Sequence, residues 1–192
     1  ALPGPALPTM ADAAGLAQPL TTGLRWSDLV LPPATLDALE DIVLWLAHGP
    51  TLLDALGFAH RTSRGHVALF HGPPGTGKTL SATLLGQRCG RAVVRVDLSR
   101  VVSKYIGETE KNLGRVFDLA ERAGWLLFFD EADALFGART EVSDSHDRYA
   151  NAQTNYLLQR IEDFDGIALL ASNSRDRFDP AFTRRLDVIL DF

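Results

Sequence analysis

The sequence has little cysteine and no long hydrophobic run, and each absence excludes a class of protein. Cys89 is the only cysteine among 192 residues, so the chain cannot form an internal disulfide or a cysteine metal cluster. Its place late in a predicted helix fits a small core residue better than a reactive thiol. No apolar run approaches a membrane span, and no signal-peptide pattern opens the chain. We therefore expect a soluble, cytoplasmic protein that does not enter a membrane.

Basic residues and metal-binding patterns are also scarce. Lysine and arginine total 19 against 24 acidic residues, a formal net charge of −5, and no long basic stretch occurs. This balance argues against a nucleic-acid partner. The 5 histidines are scattered, and no His-Glu-x-x-His motif is present. We expect neither a zinc protease site nor a structural metal.

The chain divides near residue 23 into two compositionally different parts. Residues 1–23 are rich in Pro, Ala and Gly without periodicity and are predicted to be a flexible linker, with the folded domain at 24–192. The first residue is Ala1 and the last follows directly on a strand-like segment, so we expect a domain of a longer protein. One helix is predicted from Leu36 to Gly49-Pro50, and a second, short one at about 52–56.

Beyond these helices, strands and helices alternate. Helical spacing is predicted from Leu80, around residues 113–120 with Thr109 as N-cap, and around residues 157–164. Short, almost continuous apolar runs between them are typical of strands buried on both faces of a parallel sheet; they lie at 66–70, 92–96, 125–129, 167–171 and 188–192. The pattern predicts an α/β fold with a doubly wound, five-stranded parallel sheet flanked by helices.

The most informative motif joins the first of these strands to a helix. It matches the P-loop pattern G-x-x-x-x-G-K-[ST] at every fixed position. Its glycines let backbone N–H groups turn toward phosphate oxygens, Lys78 can neutralise phosphate charge, and the Thr79 hydroxyl can bind Mg²⁺. The predicted nucleotide-binding residues of this segment are Gly72, Pro73, Pro74, Gly75, Thr76, Gly77, Lys78, Thr79 and Leu80. The motif indicates that the protein binds a nucleoside triphosphate.

Two acidic residues follow the third predicted strand, where ligands of such sheets bind. Asp130 is placed to hold Mg²⁺, and Glu131 to polarise an attacking water. A solvated acidic loop is the alternative, since acids after a buried strand are common. The P-loop elsewhere in the chain favours the catalytic interpretation.

Polar residues near the ends of the last two strands complete the candidates. Asn173 follows the fourth strand and either contacts the γ-phosphate or attacking water, or caps a turn. Arg184 and Arg185 precede the last strand and form either a solvated face or an arginine finger for a neighbouring subunit.

In this order, the P-loop, the acid pair, Asn173 and the two arginines resemble an AAA+ ATPase of the AAA clade, over about residues 26–192. The resemblance implies the large P-loop NTPase subdomain without the helical lid that would follow it, with ATP and Mg²⁺ bound. It implies that Asn173 is the sensor-1 residue and that Arg184 and Arg185 act in trans, as in katanin-like and spastin-like members. Such arginines imply a homo-oligomeric ring, usually a hexamer. It also places the adenine near Asp28, although glycines usual there are missing.

One further segment resembles the first pore loop of protein-remodelling members of the family: Lys104, Tyr105, Ile106 and Gly107. An aromatic and an aliphatic side chain beside a glycine can grip a polypeptide, although a simple surface turn has the same composition. The resemblance implies ATP hydrolysis that remodels, unfolds or threads a protein substrate.

The sequence around Arg148 and Arg184 narrows the resemblance to bacterial AAA ATPases encoded with contractile injection systems. Three other functions stay open. They are a DNA-associated clamp loader or initiator, a small-molecule P-loop kinase, and a scaffold that binds ATP without efficient turnover.

Overall fold

The computed structural model describes residues 13, 15–58, 65–96, 108–132, 145–173 and 180–192. Its strands are β1 (Ala17–Leu20), β2 (His66–His71), β3 (Val93–Val96), β4 (Leu126–Phe129), β5 (Ile167–Ser172) and β6 (Val188–Asp191). Its helices are α1 (Pro33–Ala55), α2 (Lys78–Cys89), α3 (Glu108–Ala123), α4 (Ser145–Asp163) and α5 (Pro180–Thr183), and a 3₁₀ turn covers Trp26–Asp28. Within these ranges, no helix is long and apolar enough to cross a membrane.

The sheet has six strands in the order β1-β3-β4-β5-β2-β6. Strands β2 to β6 run parallel, which confirms the predicted five-stranded parallel sheet and its strand positions. From α1 to β6, helices and strands alternate along the chain, as the apolar runs predicted.

Strand β1 corrects the predicted linker, because residues 17–20 of that segment pair antiparallel with β3. Ala17 is buried, whereas Gln18 and Pro19 are exposed. An edge strand tolerates proline because only one of its sides carries a hydrogen-bonded neighbour. The segment is short and contains proline, so neither its composition nor its periodicity indicated a strand.

Two apolar clusters cover the two faces of the sheet, because successive strand residues point to opposite sides. Val94, Leu127 and Phe129 belong to the cluster that includes the buried residues of α3 and α4. Val93 and Phe128 belong to the cluster shared with α1 and α2. Cys89 packs, partly buried, against the second cluster, and burial raises the pKa of its thiol. The strands are thus buried on both faces, as their continuous apolar composition predicted.

Helix α1 was wrongly predicted to end at Gly49-Pro50, because a single helix runs from Pro33 to Ala55. Proline removes one N–H and crowds the preceding turn, yet the tertiary contacts of α1 maintain the helix through Pro50. Leu39 and Ile42 are buried against the sheet. The helix ends at Ala55, and Gly57 two residues later has a φ of 71°, in the left-handed region that glycine adopts readily after a helix.

The predicted N-cap of α3 is also wrong. Thr109 is the second residue of this helix and is 1% exposed. Glu108 and Glu110 in the first turn are favourable beside the positive end of the helix dipole. The helix therefore begins two residues earlier than a cap at Thr109 would require.

Candidate functional site

The glycine-rich segment forms a tight turn between β2 and α2. Gly75 and Gly77 have φ values of 83° and 102°, which side chains with a Cβ rarely adopt. The Thr76 hydroxyl donates to the Pro73 carbonyl oxygen at 2.9 Å and closes the turn. Helix α2 begins at Lys78 directly after Gly77, and because Gly77 has no side chain, no N-cap side chain covers the start of the helix. The turn therefore presents helix N–H groups and a positive dipole end, the elements of an anion-binding site.

Lys78 is the central cation of this turn. It is 8% exposed, and its amine donates to the carbonyl oxygens of Gly72 and Pro73 at 2.6 and 2.8 Å. The same amine donates to Oδ1 of Asn173 at 3.0 Å, across 95 residues of sequence. Burial of a charged amine is costly unless it is well hydrogen-bonded, and these three acceptors meet that requirement. The structure thus joins two residues that the sequence predicted separately.

The acid pair follows β4. Oδ1 of Asp130 accepts a hydrogen bond from the Glu131 N–H at 3.0 Å. Glu131 has a φ of 53°, the only left-handed non-glycine residue in the described ranges. This conformation costs about 1–2 kcal/mol for an L-residue, and it turns the exposed Glu131 out of the line of the strand. Unfavourable backbone conformations of this kind occur preferentially at functional sites.

Sequence reasoning did not single out Arg95, which lies beside the acid pair. Its Nη2 is 3.7 Å from Oδ2 of Asp130. The sequence held one signal of this contact, since Arg95 is the only charged residue of the otherwise apolar strand β3.

Strand order explains how these residues come together. The carboxyl ends of β4, β5 and β2 are neighbours, because β5 lies between the other two. Asp130 and Glu131 follow β4, Asn173 follows β5, and Gly72 follows β2. Two backbone hydrogen bonds hold these ends together, Gly72 N–H to Ser172 O at 3.2 Å and Ala132 N–H to Ala171 O at 2.9 Å. Asn173 is thereby fixed between the P-loop and the acids.

The result is an open cleft of about 390 Å³ at this edge of the sheet. It is lined by Pro74, Gly75, Gly77, Lys78, Thr79, Leu80, Asp130, Glu131 and Asn173. The cleft combines N–H donors and one amine with a hydroxyl and two carboxylates. Hydroxyl and carboxylate oxygens are the ligands that Mg²⁺ prefers, so Thr79 and Asp130 fit a metal beside a phosphate chain.

Other predicted site residues lie elsewhere. Asp28 is not among the described residues of the cleft, and its carboxylate accepts from the Arg25 N–H at 2.7 Å. Arg184 and Arg185 are exposed and do not line the cleft, and Arg185 forms an ion pair with Glu162 of α4. The predicted pore-loop residues 104–107 lie outside the described residues.

The chain is similar to known ATPases. Residues 68–192 match the model of the family described as ATPase family associated with various cellular activities (AAA). An uncharacterized AAA family ATPase, y4kL, of Sinorhizobium fredii is 39% identical over 126 residues, which cover 65% of this chain and 38% of the relative. The proteasome-activating nucleotidase of Aeropyrum pernix is 38% identical over 130 residues, covering 64% of this chain and 32% of that protein.

Two further matches extend over almost the whole chain. The peroxisomal ATPase PEX6 of Arabidopsis thaliana is 31% identical over 191 residues, covering 93% of this chain and 19% of the relative. A chain in the structure of the E. coli MS115-1 HORMA:CdnC:Trip13 complex has a TM-score of 0.69 at 21% identity, covering 92% of this chain and 68% of that chain. At this identity the structural likeness supports the fold alone.

The chain thus spans between 19% and 38% of the length of these curated relatives. The predicted AAA resemblance is confirmed, whereas the narrower link to contractile injection systems stays a prediction. Since the family model covers residues 68–192, well over half of the sequence, the chain belongs to the AAA family of ATPases.

Proposed function

We propose that this protein hydrolyses ATP in a homo-oligomeric ring and uses the energy to remodel a protein substrate. The observation that carries the proposal is the cleft at the carboxyl edge of the sheet, where the P-loop, the acid pair and Asn173 meet. No single segment of the sequence contains these groups, and each is of a type that phosphoryl transfer to water requires.

Binding of the nucleotide is assigned to the P-loop. The N–H groups at the start of α2 and the Lys78 amine attract the phosphates. Arrival of a phosphate oxygen gives Lys78 a charged acceptor in place of the neutral carbonyl oxygens it now contacts. Thr79 and Asp130 would hold Mg²⁺, which supplies charge neutralisation of the phosphates when bound.

Hydrolysis is assigned to the residues at the ends of β4 and β5. The exposed carboxylate of Glu131 is turned away from its strand and can orient and deprotonate a water molecule. Asn173 lies against the Lys78 amine, so its amide is in position to respond when Lys78 turns to the γ-phosphate. This arrangement supports the assignment of Asn173 as the sensor of the γ-phosphate.

The position of the two arginines supports a site shared between subunits. Asp187 lies at the amino end of β2, since its N–H donates to Val67 O at 2.9 Å and its carboxylate accepts from the Val67 N–H at 2.7 Å. Gly72 begins the P-loop at the other end of that strand, about 17 Å away at 3.3 Å per residue. Arg185 is two residues before Asp187 and is paired with Glu162 in the last turn of α4.

Arg184 and Arg185 are therefore positioned away from the cleft of their own subunit. They can complete the cleft of a neighbour if subunits associate head to tail, and repeated head-to-tail contacts close into a ring. The hydrolysis step would then require two subunits.

A polypeptide is the proposed substrate. The segment that resembles a pore loop, Lys104 to Gly107, precedes α3 and contains the aromatic and aliphatic side chains suited to gripping a chain. Named relatives include a proteasome-activating nucleotidase and the peroxisomal ATPase PEX6.

The proposal is tested by mixing two inactive variants of the full-length protein. Glu131→Gln is expected to bind ATP but to hydrolyse it at least about 100-fold more slowly, because general-base catalysis contributes 10²–10⁴-fold. Arg184→Ala with Arg185→Ala is expected to be inactive because no subunit supplies a finger. In an equal mixture, about a quarter of the sites would combine an intact acid with intact arginines from the neighbour, so ATPase activity should recover to that level.

Glu121→Gln, an exposed acid of α3 outside the cleft, is the matched control and should keep full activity. Hydrolysis by Glu131→Gln at the wild-type rate would refute the role of this carboxylate. If the mixture shows no recovery although both variants bind ATP and assemble, the arginines do not act across a subunit contact.

A further inference from the structure

Both carboxylate oxygens of Asp130 are engaged within the described part of the chain. Oδ1 accepts the Glu131 N–H at 3.0 Å. Oδ2 faces the Arg95 guanidinium, with Nη2 at 3.7 Å. The first contact belongs to the turn that leaves β4, whereas the second comes from a different strand. A cation that binds Oδ2 must therefore share this oxygen with Arg95 or displace the guanidinium.

The strand register, and not a loop, holds Arg95 in this position. Arg95 pairs with Phe128 across the parallel strands β3 and β4. Side chains alternate along a strand, so Arg95, Phe128 and Asp130 project from the same face. Phe128 packs in the cluster that includes residues of α2, and α2 begins with Lys78 and Thr79. Arg95 is thus a fixed cation on the side of the sheet that carries the P-loop.

The Arg95–Asp130 pair has the properties of an exchangeable contact. The two side chains are 50% and 31% exposed, and the atoms are near the upper limit of an ion pair. Exposed pairs of this kind are weak because water screens both charges. A small divalent cation interacts more strongly with a carboxylate oxygen than a delocalised guanidinium does.

We propose that Arg95 competes with the metal cation for Oδ2 of Asp130 and thereby sets the Mg²⁺ concentration that the nucleotide site requires. The inference rests on the proposed function, in which Asp130 holds Mg²⁺ beside the phosphates. Arg95 neutralises Asp130 before the metal arrives, and metal binding exchanges one cation for another. A residue that only oriented Asp130 would act in the opposite direction, because its removal would weaken metal binding.

The test measures ADP binding by calorimetry over a series of free Mg²⁺ concentrations, from excess EDTA upward, with the full-length protein. Arg95→Gln should lower the half-saturating Mg²⁺ concentration about two- to fivefold, the range expected for loss of an exposed ion pair. Arg95→Lys keeps a competing cation and should remain within about twofold of the wild type. Arg91→Gln is the matched control, since Arg91 is an exposed arginine just before the amino end of β3.

A half-saturating Mg²⁺ concentration that is unchanged or raised in Arg95→Gln would overturn the inference. So would an equal decrease in Arg91→Gln, which would indicate a general effect of net charge. Thermal unfolding of each variant verifies that the fold is intact. The same assay distinguishes failure of the Arg95 inference from failure of the proposed function. If the P-loop binds the nucleotide, Lys78→Ala should abolish ADP binding with or without Mg²⁺. Retained binding there would contradict the nucleotide site itself.

Discussion

Substituting Gly86 with alanine should destabilise the protein, although alanine is the better helix former. Gly86 is buried inside α2. A Cβ at this position would overlap Cγ2 of Val93 and lie 2.8 Å from the Arg91 carbonyl oxygen. Val93 is 2% exposed and fixed in β3, and the second neighbour is backbone, so neither can move freely.

The sign follows from two opposing free energies. Glycine to alanine in a helix interior stabilises by about 0.5–1 kcal/mol. Overpacking a tight core costs about 1–3 kcal/mol. The net effect at Gly86 should be a loss of about 1 kcal/mol, because the overpacking cost exceeds the helix gain.

Gly114 is the matched control in the interior of α3. A Cβ there would meet only the Tyr156 hydroxyl, at 3.4 Å, among the neighbours described. Gly114→Ala should therefore stabilise the protein by about 0.5–1 kcal/mol, because alanine has the higher helix propensity. Urea unfolding monitored by circular dichroism measures both variants, and their free energies of unfolding should differ by about 2 kcal/mol.

A double-mutant cycle identifies the cause of the loss. If the overlap with Val93 is responsible, Val93→Ala should cost less in the Gly86→Ala background than in the wild type. The reasoning would be refuted if Gly86→Ala proved as stable as Gly114→Ala, because helix propensity alone would then decide the result.

Two further predictions concern pH and helix α1. Burial lowers the pKa of His66, with Asp187 partly opposing the shift. As pH falls below 6.5, the unfolded state therefore takes up the proton first and stability is lost. When the pH is lowered from about 7.5 to about 5.5, the free energy of unfolding should decrease by up to about 1 kcal/mol less in His66→Gln than in the wild type. The exposed His48→Gln variant is the control and should behave like the wild type. Equal decreases in all three proteins would contradict the role assigned to His66. Pro50→Ala should restore a backbone donor inside α1 and stabilise by about 1–2 kcal/mol, net of the entropy that proline removes from the unfolded chain. A lower melting temperature in Pro50→Ala would show that α1 requires the proline.

The sequence predicted the core of this fold because its parallel strands are buried on both faces. A run such as Leu126–Phe129 has no polar position, so its composition is sufficient to identify it. The P-loop was equally clear, since its conformation depends on glycines at fixed spacing. The meeting of Asp130 and Asn173 in one cleft followed from the rule that parallel strands place their carboxyl ends at one edge.

The failures occurred where tertiary contacts override local preference. Strand β1 contains Pro19, which an edge strand tolerates, and helix α1 passes through Pro50, against the usual effect of proline inside a helix. Both structures depend on neighbours that no local sequence pattern reveals. Strand β1 pairs with the free edge of β3, and helix α1 packs on the surface of the sheet. Arg95 was missed for a related reason, because its partner lies on another strand and only the register brings the two together.

The cleft lies at the carboxyl ends of the parallel strands, whereas Arg185 lies near their amino ends. This separation affects how the activity of the enzyme responds to dilution. Under the proposed function, a separated subunit keeps its phosphate-binding groups but lacks the arginines that a neighbour supplies. Specific activity should then rise with protein concentration, as it does for any centre assembled from two molecules. A lone subunit would hold ATP without cleaving it. Subunit contact would itself be the switch, and the energy of the nucleotide would be released only where a ring exists to use it.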